Sequence, residues 1–385
     1  MADKIWSGAL APVAQRDEVT LGTVSAGTAF SLKSGSTTIT YTAISGDGAA
    51  EVLDALVTAA GTAGREWLDI SVVNSGDTKL VCTSVVAGVP YSLTNVANCT
   101  VTNITAATGP NHWAAGNFEG GSLPISGDRA IFQNSSISLL YNLDTTLSNI
   151  SLVFDASYTG EVGLPRDNPN GYVEYRQRSL IVGTPSIVIG RGTGEGSSFI
   201  YIDGDATSGT VIRIYKTGTA GDETNAVALR GFTAAVIEIL DGSLSLGPYE
   251  AGAISVAELR ASGSAIVEGG LTATVTDMFT ADSASVSLYA LSGDTEMRGG
   301  DVTVLGTGAT TNVDIYSGNL TWNSTGNITQ LQLLGESASF TTGALMNDGT
   351  TIATLLVEAG TFLDPNARAT VTNFTPPRNF VGART

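Results

Sequence analysis

The amino-acid sequence predicts a mainly β protein: a small α+β module at the N-terminus, followed by a parallel β-helix of about ten rungs of ~19 residues each. Three observations predict it. Glycine supplies 46 of the 385 residues and charged residues only 14%, against about 7% and about 25% in ordinary domains. A short motif recurs, a turn residue followed by alternating apolar residues. Its markers, Gly242, Gly263, Asp282, Gly300, Gly318, Glu336 and Gly360, are spaced 18 to 24 residues apart. Helical spacing is confined to one segment near residue 50; elsewhere the apolar residues alternate with period two.

The same composition excludes several classes. Asp and Glu total 36 against 18 Lys and Arg, a net charge of −18, which argues against nucleic acid as a partner because phosphate neutralisation needs clustered cations. An apolar content of 42% is too high for a disordered chain. Chemistry-bearing residues are scarce: His112 is the single histidine, and Cys82 and Cys99 are the two cysteines. A catalytic triad or a histidine metal site would rest on that one imidazole. The expectation is therefore no enzyme, no cofactor and no metal. The opening residues Met1 to Trp6 lack a basic region followed by an apolar run, and no apolar stretch approaches the ~18 residues of a membrane span, so no membrane partner is expected.

Residues 1–18 read as an arm, either frayed or docked through Ile5, Trp6 and Leu10 on a neighbour. Residues 19–106 read as the α+β module. Strands alternate at Val19–Leu21, Phe30–Leu32 and Ile39–Tyr41. Asp47 then stands as the N-cap of a helix whose Val52, Leu53, Leu56, Val57 and Ala60 share one face, with Gly61 and Gly64 as its stop. Strands resume at Trp67–Val73, Lys79–Ser84, Val89–Leu93 and Cys99–Ile104. Cys82 and Cys99 lie symmetrically about Val89-Pro90, so a hairpin there would face them. Without a secretory signal two reduced, buried thiols are the default and a disulfide the alternative.

Residues 107–135 form a connector of turn residues around His112, Trp113, Phe118, Leu123 and Phe132. It resembles the W…NW…GxxPxxGDxVxI segment that opens parallel β-helix regions in bacterial surface and phage proteins, with Phe118 for the second Trp and Arg129 departing from the pattern. Its aromatics would cap an open solenoid end. Residues 136–365 carry the repeat, with weaker markers at Gly183, Gly204 and Gly221. Its inward candidates are Ile239, Leu244, Leu246, Ile266, Val286, Val302, Val304, Leu320, Trp322, Phe340, Leu356 and Phe362. A β-sandwich is the competing fold. A leucine-rich repeat is excluded because its consensus is absent. Between residues 158 and 179 an insertion breaks the period and gathers Tyr158, Arg166, Tyr172, Tyr175, Arg176 and Arg178. Tyr and Arg are favoured at interface hot spots, so Trp6, Arg166, Tyr172, Tyr175, Arg176 and Arg178 are the candidate interaction residues. Residues 366–385 would cap the rod or reach a partner.

Other signals weigh less. Asp203, Asp205, Asp222, Glu223, Asp241 and Asp294 sit in turns and satisfy backbone donors more readily than the six to eight ligands of calcium. Gly190 to Gly194 lacks the Lys-Ser/Thr of a phosphate loop. Paired carboxylates for glycoside cleavage could come from any two acids on one solenoid face, but such sites usually come with sugar-stacking aromatics and the rungs hold few, Trp322 and Tyr289 among them.

The segment WSGALAPVAQRDEVTLGTVSAGTAFSLKSGSTTITYTA, the short helix and VPYSLT after it, and EVGLPRDNPNGYVEYRQRSLIVG together resemble tailed-bacteriophage structural proteins, head-associated and decoration-type, with a C-terminal parallel β-helix. The resemblance spans most of residues 1–200. It implies a capsid decoration or cement protein on the head exterior, made in the host cytoplasm. The implied partners are the major capsid protein and two further copies in a homotrimer. The alternative is a tail spike, fibre or host-surface adhesin that binds glycan through the β-helix face.

Overall fold

A computed structural model describes residues 2–220, 225–247, 253–343, 350–365 and 367–376. Half the chain is strand (51%) and 6% is helical, and the strands form a parallel β-solenoid of about 12 turns after a small N-terminal module. At about 4.8 Å per rung, twelve turns make a rod on the order of 55 Å long. Each strand pairs in parallel with the strand one turn onward, so the coil carries two long ladders. One runs through Ser186–Arg191, Val211–Ile214, Ala235–Ile239 and Ile254–Ala261. The other runs through Ile200–Asp203, Val227–Arg230, Ser243–Leu246 and Ile266–Gly269.

In-register stacking puts like on like inside. Ile187, Ile212, Ile237, Leu259 and Met278 form one inward column, all buried. Val227, Leu244, Val267, Val286, Val302, Leu320 and Phe340 form another. A rung cannot bury its own apolar edge; its neighbours do, at roughly 1.5–3 kcal/mol per buried aliphatic side chain. Two predicted inward residues face out. Ile266 is 47% exposed while Ala265 and Val267 are buried, and Leu356 lies outside while Leu355 is buried. A one-residue change in turn length reverses every side chain that follows it.

The recurring markers are corners between the two ladders. Gly242, Gly263, Asp282, Gly300, Gly318 and Gly360 all have positive φ; Glu336 does not. At Gly318 (φ +99°) a Cβ would lie 2.5 Å from the Gly300 carbonyl oxygen of the previous rung. Conformation and space therefore both demand glycine there.

The predicted arm is neither frayed nor free. Strand β1 (Asp3–Ile5) pairs in parallel with Arg129–Phe132, which pairs in turn with Ser151–Asp155, so the first rung begins at the N-terminus. Trp6 is 1% exposed and meets Phe118 edge-on at 5.4 Å and Phe132 at 5.5 Å, and its Nε1 donates to the Ile137 carbonyl at 3.1 Å. Trp113, Phe154 and Tyr158 complete an aromatic plug over the coil end. Tyr158 is thus core, not part of a surface insertion. At the other end the coil runs past residue 365: strand Ala369–Thr375 pairs with Thr350–Val357. The rest of the predicted C-terminal cap or arm, residue 366 and residues 377–385, lies outside the described residues, as do Gly221, Asp222 and Glu223.

The module is looped out between β1 and the connector. Strands β2 (Arg16–Leu21), β3 (Ala29–Ser34), β4 (Thr37–Thr42), β5 (Ile70–Ser75), β6 (Lys79–Ser84), β7 (Thr94–Ala97) and β8 (Cys99–Thr105) make two antiparallel sheets ordered β5-β6-β2-β8 and β4-β3-β7. Helix α1 (Ala49–Ala63) buries Val52, Leu53, Leu56 and Ala60 in the module core. Its N-cap is Gly48, one residue past the predicted Asp47, and Gly61 lies inside the helix. Asp47 is occupied elsewhere, accepting from Tyr41 Oη and Ile44 N, both at 2.8 Å, while Glu51 accepts from Gly48 N at 2.9 Å.

The expected strand Val89–Leu93 does not form. Pro90 has no N–H to offer a ladder, and Tyr91 is instead drawn inward. Its hydroxyl donates to the Cys82 carbonyl at 2.8 Å and its N–H to Gln15 Oε1 at 3.1 Å. The Cys82–Cys99 hairpin fails with it: β2 lies between β6 and β8, with Cys82 opposite Asp17 and Cys99 opposite Leu21. Both thiols are free and buried.

Candidate functional site

Residues 164–179, where the solenoid period breaks, form the side of a seam against the module. Asp69, the last residue of a short 3-10 helix just before β5, accepts from Asn170 Nδ2 at 2.8 Å and from Tyr172 Oη at 2.5 Å. Burial and the Asp69 carboxylate together push the Tyr172 phenol up. Arg176 is the centre of the seam. Its Nε and Nη2 donate to the two Glu174 oxygens at 2.7 and 2.6 Å, its Nη1 to the Pro90 carbonyl at 3.0 Å, and its Nη2 also to Tyr172 Oη at 3.2 Å. The guanidinium lies 5.6 Å from the ring centres of both Tyr141 and Tyr175. The side chains of Arg176 and Glu174 are only 11% and 2% exposed. Burial alone would raise the Glu174 carboxyl, but the bonds from Arg176 hold it below the usual range. Tyr175 Oη accepts from Ser92 N at 3.3 Å.

His112 closes the same seam from the connector, with Nε2 2.7 Å from the Gly88 carbonyl and its ring 5.1 Å from that of Tyr141. Burial depresses the imidazole below its ordinary value.

The expected interaction residues therefore divide. Tyr172, Tyr175 and Arg176 are brought together, and they grip this chain's own module. Trp6 belongs to the aromatic plug at the coil end. Arg178 is buried, 5.4 Å from the Tyr201 ring, which Arg230 approaches at the same distance. Arg166 alone stands exposed, at the outer turn. Sequence reasoning missed Asp69, Tyr141 and Glu174. The spacing of Glu174 two residues before Arg176, on one side of an extended segment, was the available signal for the pair. Asp203 is taken up by Arg230 at 2.8 Å and by the Asp205 N–H at 3.0 Å, a turn role. Among the described residues no group of three or more His, Cys, Asp or Glu is arranged to hold a metal, and no helix is long and apolar enough to cross a membrane.

Besides Arg166, the seam leaves several apolar side chains outside. Leu68, Val85, Val86 and Val173 are each more than half exposed. Each is Asp69's neighbour, bonded to Asp69, or next to a residue that is: Val85 N donates to the Asp69 carbonyl at 2.9 Å, and Val173 follows Tyr172. Four exposed apolar side chains grouped around Asp69, drawn from both packed units, are candidates for a docking surface. No protein-family model matches the chain, and no curated protein matches it.

Proposed function

We propose that this chain is a structural protein of a tailed-phage virion that decorates the head exterior as a homotrimer, its module binding the major capsid protein of the assembled shell. The observation that carries this reading is the set of exposed apolar residues Leu68, Val85, Val86 and Val173 around Asp69, where the module is fastened to the stiff rod. A cement protein needs a fixed docking face and a body that does not flex, and the Arg176 seam and the stacked rungs supply both. The resemblance of residues 1–200 to head-associated phage proteins supports the same role.

The test is addition of purified chain to shells that lack it, followed by sedimentation and imaging. Binding to shells that is lost in Val85→Asp/Val86→Asp, with the fold retained by circular dichroism, is the expected result. Indifference to shells, or binding unchanged by the double substitution, refutes the reading. A second reading, a spike or host-surface adhesin, is favoured by one observation, the concentration of charge on the outer side of one solenoid sheet.

A further inference from the structure

We propose that the charged sheet face of the solenoid binds an extended, amine-bearing polysaccharide along the rod. This deepens the adhesin reading and rests on it. Shell attachment is measured separately, so either can fail alone.

The outward residues of this sheet form two parallel columns. One runs Glu258, Asp277, Asp294, Asn312, Gln330; the other runs Arg260, Phe279, Glu296, Asp314, Gln332. Together they line a groove of about 650 Å³. Rung repeats of about 4.8 Å give a ligand lying along the groove a new set of contacts at each step.

Charge in the groove is unbalanced. Arg260 and Arg298 are each held by a glutamate of their own strand, Arg260 by Glu258 at 2.5 Å and Arg298 by Glu296 at 2.6 Å. Asp277, Asp294 and Asp314 have no cation partner among the described residues. Amides steady two of them: Asn312 Nδ2 donates to Asp294 at 2.9 Å and Gln332 Nε2 to Asp314 at 2.8 Å. Glu296 and Asp314 stand directly opposite each other on adjacent rungs, where like charges destabilise a sheet. Burial raises the Asp314 carboxyl, and Glu296 and Asp294 add to it. A local conflict of this kind marks a functional surface more often than a structural one.

The opposite sheet is less charged. Its outward positions in the same rungs are mostly Ser, Thr and Asn, among them Ser287, Thr303, Thr321 and Thr341 in register, with Glu268 and Asp301 as its carboxylates. The charge is denser on the groove face. That face also offers ring surfaces: Phe279 is half-buried in mid-column, and Arg298 lies 5.5 Å from the centre of the exposed Tyr316 ring. Unneutralised carboxylates attract ammonium groups, repel anionic sugars and accept from hydroxyls, the amides both accept from and donate to hydroxyls, and the rings take the apolar faces of pyranoses.

The experiment is calorimetric titration of the full chain with a glucosamine oligosaccharide, with its N-acetylated form, spermine and oligolysine as comparators. The expected result is binding of the glucosamine oligomer that weakens about tenfold or more in Asp294→Asn/Asp314→Asn, and in the N-acetylated form. The two aspartates point outward, so the variant keeps its fold, checked by thermal unfolding. Absence of binding, or binding unchanged in the variant, overturns the proposal. Spermine or oligolysine binding as tightly assigns the face to charge alone and overturns its carbohydrate part.

Discussion

Replacing Arg176 by alanine should open the seam without unfolding either unit. The substitution strands the Glu174 carboxyl, 2% exposed, without its cation. It also removes the bond to the Pro90 carbonyl and the contacts with Tyr141 and Tyr175. The lost charge-assisted bonds are worth about 1.5–3 kcal/mol each, but they share one side chain and do not add. The measured cost of breaking a buried pair, about 3–5 kcal/mol, bounds the total. The module retains its own core around Phe30, Leu53 and Leu80, so the loss falls on docking. Native-state hydrogen exchange reads it directly. In peptides covering residues 86–93 and 166–178, exchange should accelerate by about two to three and a half orders of magnitude, while solenoid peptides beyond residue 250 stay as they were. The paired replacement Glu174→Gln/Arg176→Met removes the charge together with its partner and should recover most of the protection. Exchange at residues 86–93 within about threefold of wild type in Arg176→Ala would refute the assignment of Arg176 as the fastener.

Four further outcomes follow from the structure. His112 has a depressed folded-state value, so its protonation favours the unfolded chain. Stability should fall as pH drops below about 6.5 and level off once pH is below the folded value, and His112→Gln should flatten that part of a urea-midpoint profile. Glu174 has the opposite chemistry and the same direction at lower pH: its folded value is depressed, so its contribution is complete above about pH 4.3 and is lost as pH falls through the folded value, measurable as the extra acid sensitivity of wild type over Glu174→Gln/Arg176→Met. Burial pushes the Cys82 thiol up to about 12 and the Cys99 thiol up to about 11. Both should resist a thiol reagent at pH 8 in native buffer and react in denaturant, and reaction of either in the native chain counts against the packing of β2 between them. Gly318→Ala should destabilise the chain by about 1–3 kcal/mol through the forced positive φ, more than Gly27→Ala, whose φ is also positive but whose Cβ meets nothing within 4 Å; equal thermal shifts would show that inter-rung space does not matter at the corner.

The solenoid was legible because its physics is local. A corner needs a residue that tolerates positive φ, and Gly242, Gly263, Asp282, Gly300, Gly318 and Gly360 reveal the period by recurring. The side-chain phase was less legible. Ile266 and Leu356 sit next to the true inward residues because a turn's length, which sets the phase, depends on the rung above and below. Trp6 was readable as a residue needing burial, yet its partners, Phe118 and Phe132, lie more than a hundred residues away. The seam failed in the same way. Tyr172, Tyr175 and Arg176 announce a contact, but nothing nearby names Asp69, which Tyr172 reaches across 103 residues of chain. Aromatic and cationic side chains at an internal interface have the same composition as those at an external one.

The looped-out position of the module has a consequence for how such a chain can change. Val13 N donates to the Thr108 carbonyl at 2.7 Å, so the polypeptide leaves the first rung and comes back at almost the same point. Everything between is a cassette with its own core, joined by two adjacent strands of chain and fastened by the Arg176 seam. Excision and closure with a short linker would leave β1 facing its strand partner and the aromatic plug in place, and an unrelated domain with neighbouring termini could be spliced into the gap. The rod is in that sense a mount: what it carries can be exchanged by refitting residues 164–179 to the new face, with the stacked ladders left as they are.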